Sequence, residues 1–172
     1  MEKEIEIRFK ISDKKEKEIL ALLKEKNISK QKQHDYYFRH KNQKENSNYI
    51  LRIRDNVLTY KAFCEDSWIE KEIKVDNSKK AIEIIKLLGN ILFLEIKKER
   101  KTTNFLIEGR NIEVNVDKIE SLGSFVELEI KGEDVKKDKR FLKTFAKTKW
   151  DINEDKIIEE GYVQLKLKFK KH

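Results

Sequence analysis

The strongest regularity along the chain is an alternation of apolar and charged residues with period two. In Glu4-Ile5-Glu6-Ile7-Arg8-Phe9-Lys10-Ile11 every even position is charged and every odd position apolar. An extended strand sends Glu4, Glu6, Arg8 and Lys10 to one face and Ile5, Ile7, Phe9 and Ile11 to the other, whereas a helix would scatter both sets. The pattern recurs. Leu51 and Ile53 alternate with Arg52 and Arg54, and Asp55-Asn56 forms a turn into a return strand, Val57–Ala62, that carries Lys61. Glu70, Glu72 and Lys74 oppose Ile69, Ile73 and Val75, and Lys98 and Arg100 share a parity with Ile96. Glu113, Asn115 and Asp117 oppose Ile112, Val114 and Val116. Glu127, Glu129 and Lys131 oppose Val126, Leu128 and Ile130, and Gln164, Lys166 and Lys168 oppose Leu165, Leu167 and Phe169. With a short run at Asp35–Phe38, this predicts about eight strands.

Three segments carry helical spacing instead. Lys14–Asn27 places Ile19, Leu20, Leu22 and Leu23 on one side, with Ser12 or Asp13 as N-cap. Asn77–Leu88 does the same with Ala81, Ile84, Ile85 and Leu88, and Gly89 supplies a stop. Asp134–Trp150 carries Phe141, Leu142, Phe145 and Ala146, and Asn153–Glu159 predicts a weaker helical turn. His40–Asn48 reads as a loop and Lys136–Lys139 as a solvated helix face. The expected class is α+β, mainly antiparallel β, in one domain over residues 1–172.

Composition adds bounds. Charged residues make up 42% and hydrophobic residues 38% of the 172 positions, and the formal net charge is +8. That balance favours anionic partners without choosing among them. Cys64 is the single cysteine, which leaves no disulfide framework and no thiolate zinc site. His34, His40 and His172 are too scattered for a histidine metal site, and there is no proline. Met1–Lys10 is charged, and no run approaches the ~20 apolar residues of a membrane span, so a cytoplasmic location off the membrane is expected.

The polar faces hold the candidate chemistry. Same-face neighbours in a strand lie roughly 6.5–7 Å apart, close enough for two carboxylates to share a metal ion or its waters. Glu4/Glu6 and Glu127/Glu129 are such pairs, with Asp117 as a further donor; oxygen ligands suit Mg²⁺ or Mn²⁺. Arg8/Lys10, Arg52/Arg54, Lys98/Arg100 and Lys61 can grip phosphate, because guanidinium forks match phosphate oxygens and ammonium supplies point charge. If these faces point inward, acids and bases pair with one another before substrate arrives, and the amphipathic helices cover the apolar outer faces.

Glu4-x-Glu6-x-Arg8 resembles the Glu-x-Glu-x-Lys signature of the CYTH superfamily, the triphosphate tunnel metalloenzymes. Further segments resemble it in order along the chain: His34-Asp35-Tyr36-Tyr37-Phe38, Leu51-Arg52-Ile53-Arg54 through Lys61, Glu70-x-Glu72, and Lys98-x-Arg100. Asp117 and then Leu122-Gly123-x-Phe125-Val126-Glu127-x-Glu129 follow, with Tyr162 where the family has a late Ser-Tyr. The resemblance implies an eight-stranded polar-lined tunnel with a few covering helices. It implies Glu4, Glu6, Asp117, Glu127 and Glu129 as ligands of Mg²⁺ or Mn²⁺. It implies Arg8, Lys10, Arg52, Arg54, Lys61, Lys98 and Arg100 as the grip on a triphosphate, with Glu70 and Glu72 of the next acidic strand at the same substrate site. Two departures stand out: Arg8 replaces the usual Lys and cannot give up its proton to activate water, and Gly161 replaces the Ser.

The leading expectation is a metal-dependent triphosphatase acting on inorganic, nucleoside or thiamine triphosphate, with Glu127, Glu129 and Arg8 nearest the chemistry, as a monomer or homodimer. A class IV adenylyl cyclase making cyclic AMP and pyrophosphate is the alternative. A non-catalytic polyphosphate or RNA binder using Tyr36, Tyr37, Phe38 and Trp68 is a third reading, disfavoured for nucleic acid because acidic pairs repel its backbone.

Overall fold

The computed structural model describes residues 3–24, 26–43, 49–64 and 67–170. In chain order the elements are β1 (Lys3–Ile11), α1 (Asp13–Leu22), β2 (Ser29–His40), β3 (Tyr49–Arg54), β4 (Val57–Cys64) and β5 (Ser67–Lys74). Then come α2 (Ser78–Leu87), β6 (Asn90–Ile107), β7 (Arg110–Ile119), β8 (Gly123–Gly132), α3 (Val135–Trp150), a 3₁₀ turn (Glu154–Lys156), β9 (Ile157–Ile158) and α4 (Tyr162–Lys170). The class is α+β with mainly antiparallel strands. The chain forms two compact units, one of residues 1–32 and 98–172, the other of residues 33–97, and the boundaries fall inside β2 and β6.

In the first unit β6, β7, β8, β1 and β9 are neighbours in that order, with antiparallel pairing from β6 through β9. The β6–β7 hairpin turns on Glu108 and Gly109, both at positive φ (51° and 74°), as a two-residue turn matched to strand twist requires. One face of β1, β7 and β8 is apolar. Ile5, Ile7, Phe9, Ile112, Val114, Val116, Val126, Leu128 and Ile130 pack there against Ile19 and Leu23, and against Leu142, Phe145 and Trp150 of α3. The helices thus cover the apolar face, as the alternation required. In the second unit β5, β4, β3, β2 and β6 are neighbours in that order, and Phe38, Ile53 and Ile85 centre a smaller core with Ala81 and Ile82 of α2.

All three predicted helices start where expected. Ser12, Asn77 and Asp134 are N-caps whose side-chain oxygens accept from the backbone N–H three residues on. Four expectations need correction. Residues 164–169, read as a strand, lie in α4: Tyr162, Val163 and Lys166 are buried at helical spacing, and Lys166 Nζ donates to Glu120 O at 2.6 Å, so docking overrides a short alternation. Helix α1 stops at Leu22, because polar Lys24–Asn27 offers nothing to bury and the chain must reach β2; Leu22 is 64% exposed. The buried side of α2 is Ala81, Ile82 and Ile85, leaving Ile84 and Leu88 outward. Strands β2 and β6 extend far beyond Asp35–Phe38 and Ile96–Arg100. Residues 44–48 of the expected loop, the side chains of Cys64 and Trp68, and His172 lie outside the described residues.

Candidate functional site

The polar face of the first unit is built in cross-strand rows. Register sets Glu113 opposite Glu129 and Glu129 opposite Glu6. The next same-face row is Thr102, Asn115, Glu127 and Arg8, and the next is Arg100, Asp117, Phe125 and Lys10. Direct cross-strand neighbours have Cβ atoms about 4.5–5.5 Å apart, so each row is a set of interacting groups. An ordinary outer sheet face would be wet, but Arg8, Asp117 and Glu127 are only 5%, 0% and 5% exposed.

Burying these charges is tolerable because they are paired. Arg8 Nε and Nη2 donate to Glu127 Oε2 at 3.2 and 2.8 Å, Nη2 also donates to Glu6 Oε1, and Nη1 donates to the Glu160 carbonyl at 2.8 Å. Arg100 takes Asp117 with both arms of its fork, Nε to Oδ1 at 2.7 Å and Nη2 to Oδ2 at 2.6 Å, and reaches Glu127 Oε1 at 2.9 Å. Glu127 therefore bridges the two guanidiniums. Lys98 Nζ lies 3.6 Å from Asp117 Oδ2. Burial alone would lower the arginine pKa values. Glu6 and Glu127 outweigh it at Arg8, and Asp117 and Glu127 at Arg100, so both guanidiniums are held above their ordinary value.

Tyr162, the first residue of α4, closes onto this cluster. The Arg8 guanidinium carbon sits 4.8 Å and Lys98 Nζ 5.2 Å from its ring centroid, and the Phe125 ring meets it edge-on at 5.3 Å. Beside the cluster, Thr102 Oγ1 donates to Asn115 Oδ1 at 2.6 Å and Asn115 Nδ2 donates to Glu113 Oε1 at 2.9 Å.

The second unit holds its own cluster. Arg54 grips Asp35 with two bonds of 2.5 and 2.7 Å, and the Tyr37 hydroxyl donates to Asp35 Oδ2 at 3.1 Å. Arg52 Nη2 donates to Thr59 Oγ1, Glu70 Oε1 and Glu72 Oε1 at 3.0–3.2 Å, and Lys61 Nζ lies 3.4 Å from Glu70 Oε2. The buried Arg52 Nε has no hydrogen-bond partner among the described residues.

The predicted residues thus fall into two networks. Glu6, Arg8, Lys98, Arg100, Asp117 and Glu127 come together in the first unit. Arg52, Lys61, Glu70 and Glu72 come together in the second, with Arg54 bound to Asp35. Glu129 stands between Glu6 and Glu113 in register, and Glu4 is opposite Lys131. Lys10 is exposed, 6.0 Å over the Phe125 ring, away from the paired charges. The alternation carried no notice of Asp35, Thr102 or Tyr162; strand parity could have placed Thr102 with Arg100 and Asp35 with Tyr37.

The donors available to a metal are carboxylate oxygens, which suit a hard divalent ion. Among the described residues no three acidic, His or Cys side chains are gathered as a ready ligand shell. Glu6, Asp117 and Glu127 bind guanidinium or ammonium instead, while the Glu113–Glu129–Glu6 row aligns carboxylates that would otherwise repel. The chemistry of the donor set fits a divalent cation.

The sequence pattern of the CYTH domain matches residues 2–162 and so runs through both units. The chain belongs to the CYTH family. A protein of Methanocaldococcus jannaschii, provisionally named an adenylate cyclase, is 33% identical over 175 residues, covering 95% of this chain and 98% of the relative. A Pyrococcus horikoshii OT3 protein shares the fold with TM-score 0.80 at 22% identity, over 94% of this chain and 98% of that one. A Hippeastrum protein, provisionally an adenylyl cyclase and described as revealing a dominant triphosphatase activity, matches with TM-score 0.62 at 16% identity, over 99% and 96% of the two chains. CYTH proteins include triphosphatases and adenylyl cyclases, so the chain falls in an enzymatic family. No helix among the described residues is long and apolar enough to cross a membrane.

Proposed function

We propose that this CYTH chain is a divalent-metal-dependent triphosphatase whose buried charge network receives the phosphate chain. The carrying observation is the pair of guanidiniums, Arg8 and Arg100, bridged by the buried Glu127. Oriented, dehydrated donors stabilise developing phosphoryl charge far better than mobile ones in water. Arg8, Arg100 and Lys98 donate to phosphoryl oxygens; both guanidiniums stay charged at every working pH, so Arg8 acts as an electrostatic clamp and not as a base. Glu127 already accepts from both arginines and serves to orient them. Glu129, on the neighbouring row, is the better group to position a water for in-line attack. Arg52, Arg54 and Lys61 belong to the same proposal as phosphate-binding cations of the second unit, with Glu70 and Glu72 ordering Arg52 and Lys61.

Glu4, Glu6 and Glu129, with Asp117 and Glu127 when their cations move to phosphate, would hold Mg²⁺ or Mn²⁺. When bound, such an ion supplies charge neutralisation at the phosphate oxygens and lowers the pKa of a coordinated water.

The name of the Methanocaldococcus relative favours a second reading, cyclisation of ATP, which needs the same cations. One panel separates them: inorganic triphosphate, ATP and thiamine triphosphate, each with Mg²⁺ or Mn²⁺, scored for phosphate and for cyclic AMP. We expect phosphate from at least inorganic triphosphate, and its loss in Glu129→Ala without loss of fold. Cyclic AMP with pyrophosphate as the main products would establish the second reading, and turnover undiminished in Glu129→Ala would remove that residue from the chemistry.

A further inference from the structure

Tyr162 is more than nine-tenths buried, yet its hydroxyl finds no hydrogen-bond partner among the described residues. A buried hydroxyl left unsatisfied costs about 1–3 kcal/mol, so native proteins seldom keep one without a use. Its ring is fixed from three sides: Arg8 at 4.8 Å, Lys98 at 5.2 Å and the Phe125 edge at 5.3 Å. Its position along the chain is fixed as well. Arg8 Nη1 holds the Glu160 carbonyl two residues before it, and Lys166 Nζ, one helical turn after it, is bound to Glu120 O at 2.6 Å. The phenol therefore cannot swing away to find water or a backbone acceptor without breaking these contacts.

What the hydroxyl lacks is an acceptor. The neighbouring carboxylates, Asp117 and Glu127, spend their oxygens on Arg100, Arg8 and Lys98. Gly161 precedes Tyr162, so that neighbouring position brings no side-chain hydroxyl of its own. A phosphoryl oxygen arriving at Arg8, Lys98 and Arg100 would be an anionic acceptor beside the two cations, Arg8 and Lys98, that lie over the ring. Burial, with Glu127 and Asp117 next, keeps the phenol protonated well beyond its ordinary range, so it is always a donor.

We propose that Tyr162 is a substrate-positioning residue whose hydroxyl donates a hydrogen bond to a phosphoryl oxygen held by Arg8, Lys98 and Arg100. This rests on the triphosphate reading above. It assigns the N-terminal residue of α4 a direct contact with the phosphate chain, and makes the deletion of one oxygen atom selective: it weakens ligand binding and leaves the unliganded fold alone.

The test is Tyr162→Phe, which keeps the ring and both cation contacts. Binding of imidotriphosphate, a triphosphate analogue with nitrogen bridges that resist hydrolysis, is measured by calorimetry with Mg²⁺ for wild type and Y162F, and thermal unfolding is measured on both without ligand. The expected result is about tenfold or greater weakening of binding, as for a hydrogen bond to a charged acceptor, with an unliganded melting temperature equal to or above that of wild type. Equal affinity in the two proteins overturns the inference alone. A clear fall in the unliganded melting temperature of Y162F also overturns it, because the hydroxyl is then already engaged inside the protein. Failure of wild type itself to bind the analogue overturns the triphosphate reading, and the inference with it.

Discussion

Two clusters in this chain use the same parts to different ends. In the second unit, Arg54 clasps the buried Asp35 with two bonds and a buried tyrosine, Tyr37, donates to the same carboxylate. In the first unit, Arg100 clasps the buried Asp117 with two bonds and a buried tyrosine, Tyr162, lies nearby with its hydroxyl unengaged. In the Asp35 set the acid accepts from one guanidinium and from the phenol, whose hydroxyl is thereby engaged. In the Asp117 set two guanidiniums and an ammonium share three carboxylates, Glu6, Asp117 and Glu127, and the hydroxyl of Tyr162 stands beside them unengaged. Composition alone does not separate the two sets. What separates them is whether the buried phenol finds an acceptor: Tyr37 does and Tyr162 does not among the described residues.

The largest expected effect tests the Asp35 set. Removing one partner of a buried pair strands the other, at a cost of about 3–5 kcal/mol. Asp35→Leu should therefore lower urea stability by an amount of that order; a change below about 1 kcal/mol would mean Asp35 holds nothing together. Next comes the phenol. Tyr37→Phe removes a made bond and leaves part of Asp35 unsatisfied, so a loss of roughly 1 kcal/mol is expected. Tyr162→Phe should show no such loss, and matching losses in the two variants would erase the distinction drawn here.

The smallest effect is in alkali. Burial raises the pKa of both Tyr37 and Tyr162, followed by the Asp35 charge for the first and the Glu127 and Asp117 charges for the second. A raised folded-state value means that stability is fully present below the unfolded phenol pKa of about 10 and is lost as pH climbs through the folded values. Absorbance titration of the native protein should thus leave two of its five tyrosines un-ionised until the fold opens. Five phenols titrating together while the protein stays folded would contradict that.

Much of this was readable from the chain. Alternation in Glu4–Ile11, Ile112–Asp117 and Val126–Lys131 gave both faces of β1, β7 and β8, because a period of two has one geometric solution. Ser12 or Asp13 marked the start of α1, and apolar spacing marked those of α2 and α3. The Arg8, Arg100, Asp117 and Glu127 grouping followed from parity and from the CYTH resemblance. Alternation failed at Gln164–Phe169, where six residues are too few to exclude a helix and the docking of Tyr162 and Lys166 decides. It missed most of β2 and β6, since Ser29–His34 is polar on both faces and Ile91–Leu94 is an unbroken apolar run. The buried stripe of α2 came out one position off because Ala81, Ile82 and Ile85 fit the spacing as well as Ala81, Ile84 and Ile85. The unengaged hydroxyl of Tyr162 belongs to tertiary packing, which no periodicity encodes.

On the proposed function, the buried charged face of β1, β6, β7 and β8 holds phosphate. Titration of the unmodified protein with inorganic triphosphate and Ca²⁺, followed by melting temperature, tests it most directly. A phosphate-holding face gives a melting temperature that climbs with the logarithm of ligand concentration above the dissociation constant, and Arg100→Ala abolishes the climb. A flat response in the unmodified protein would contradict it.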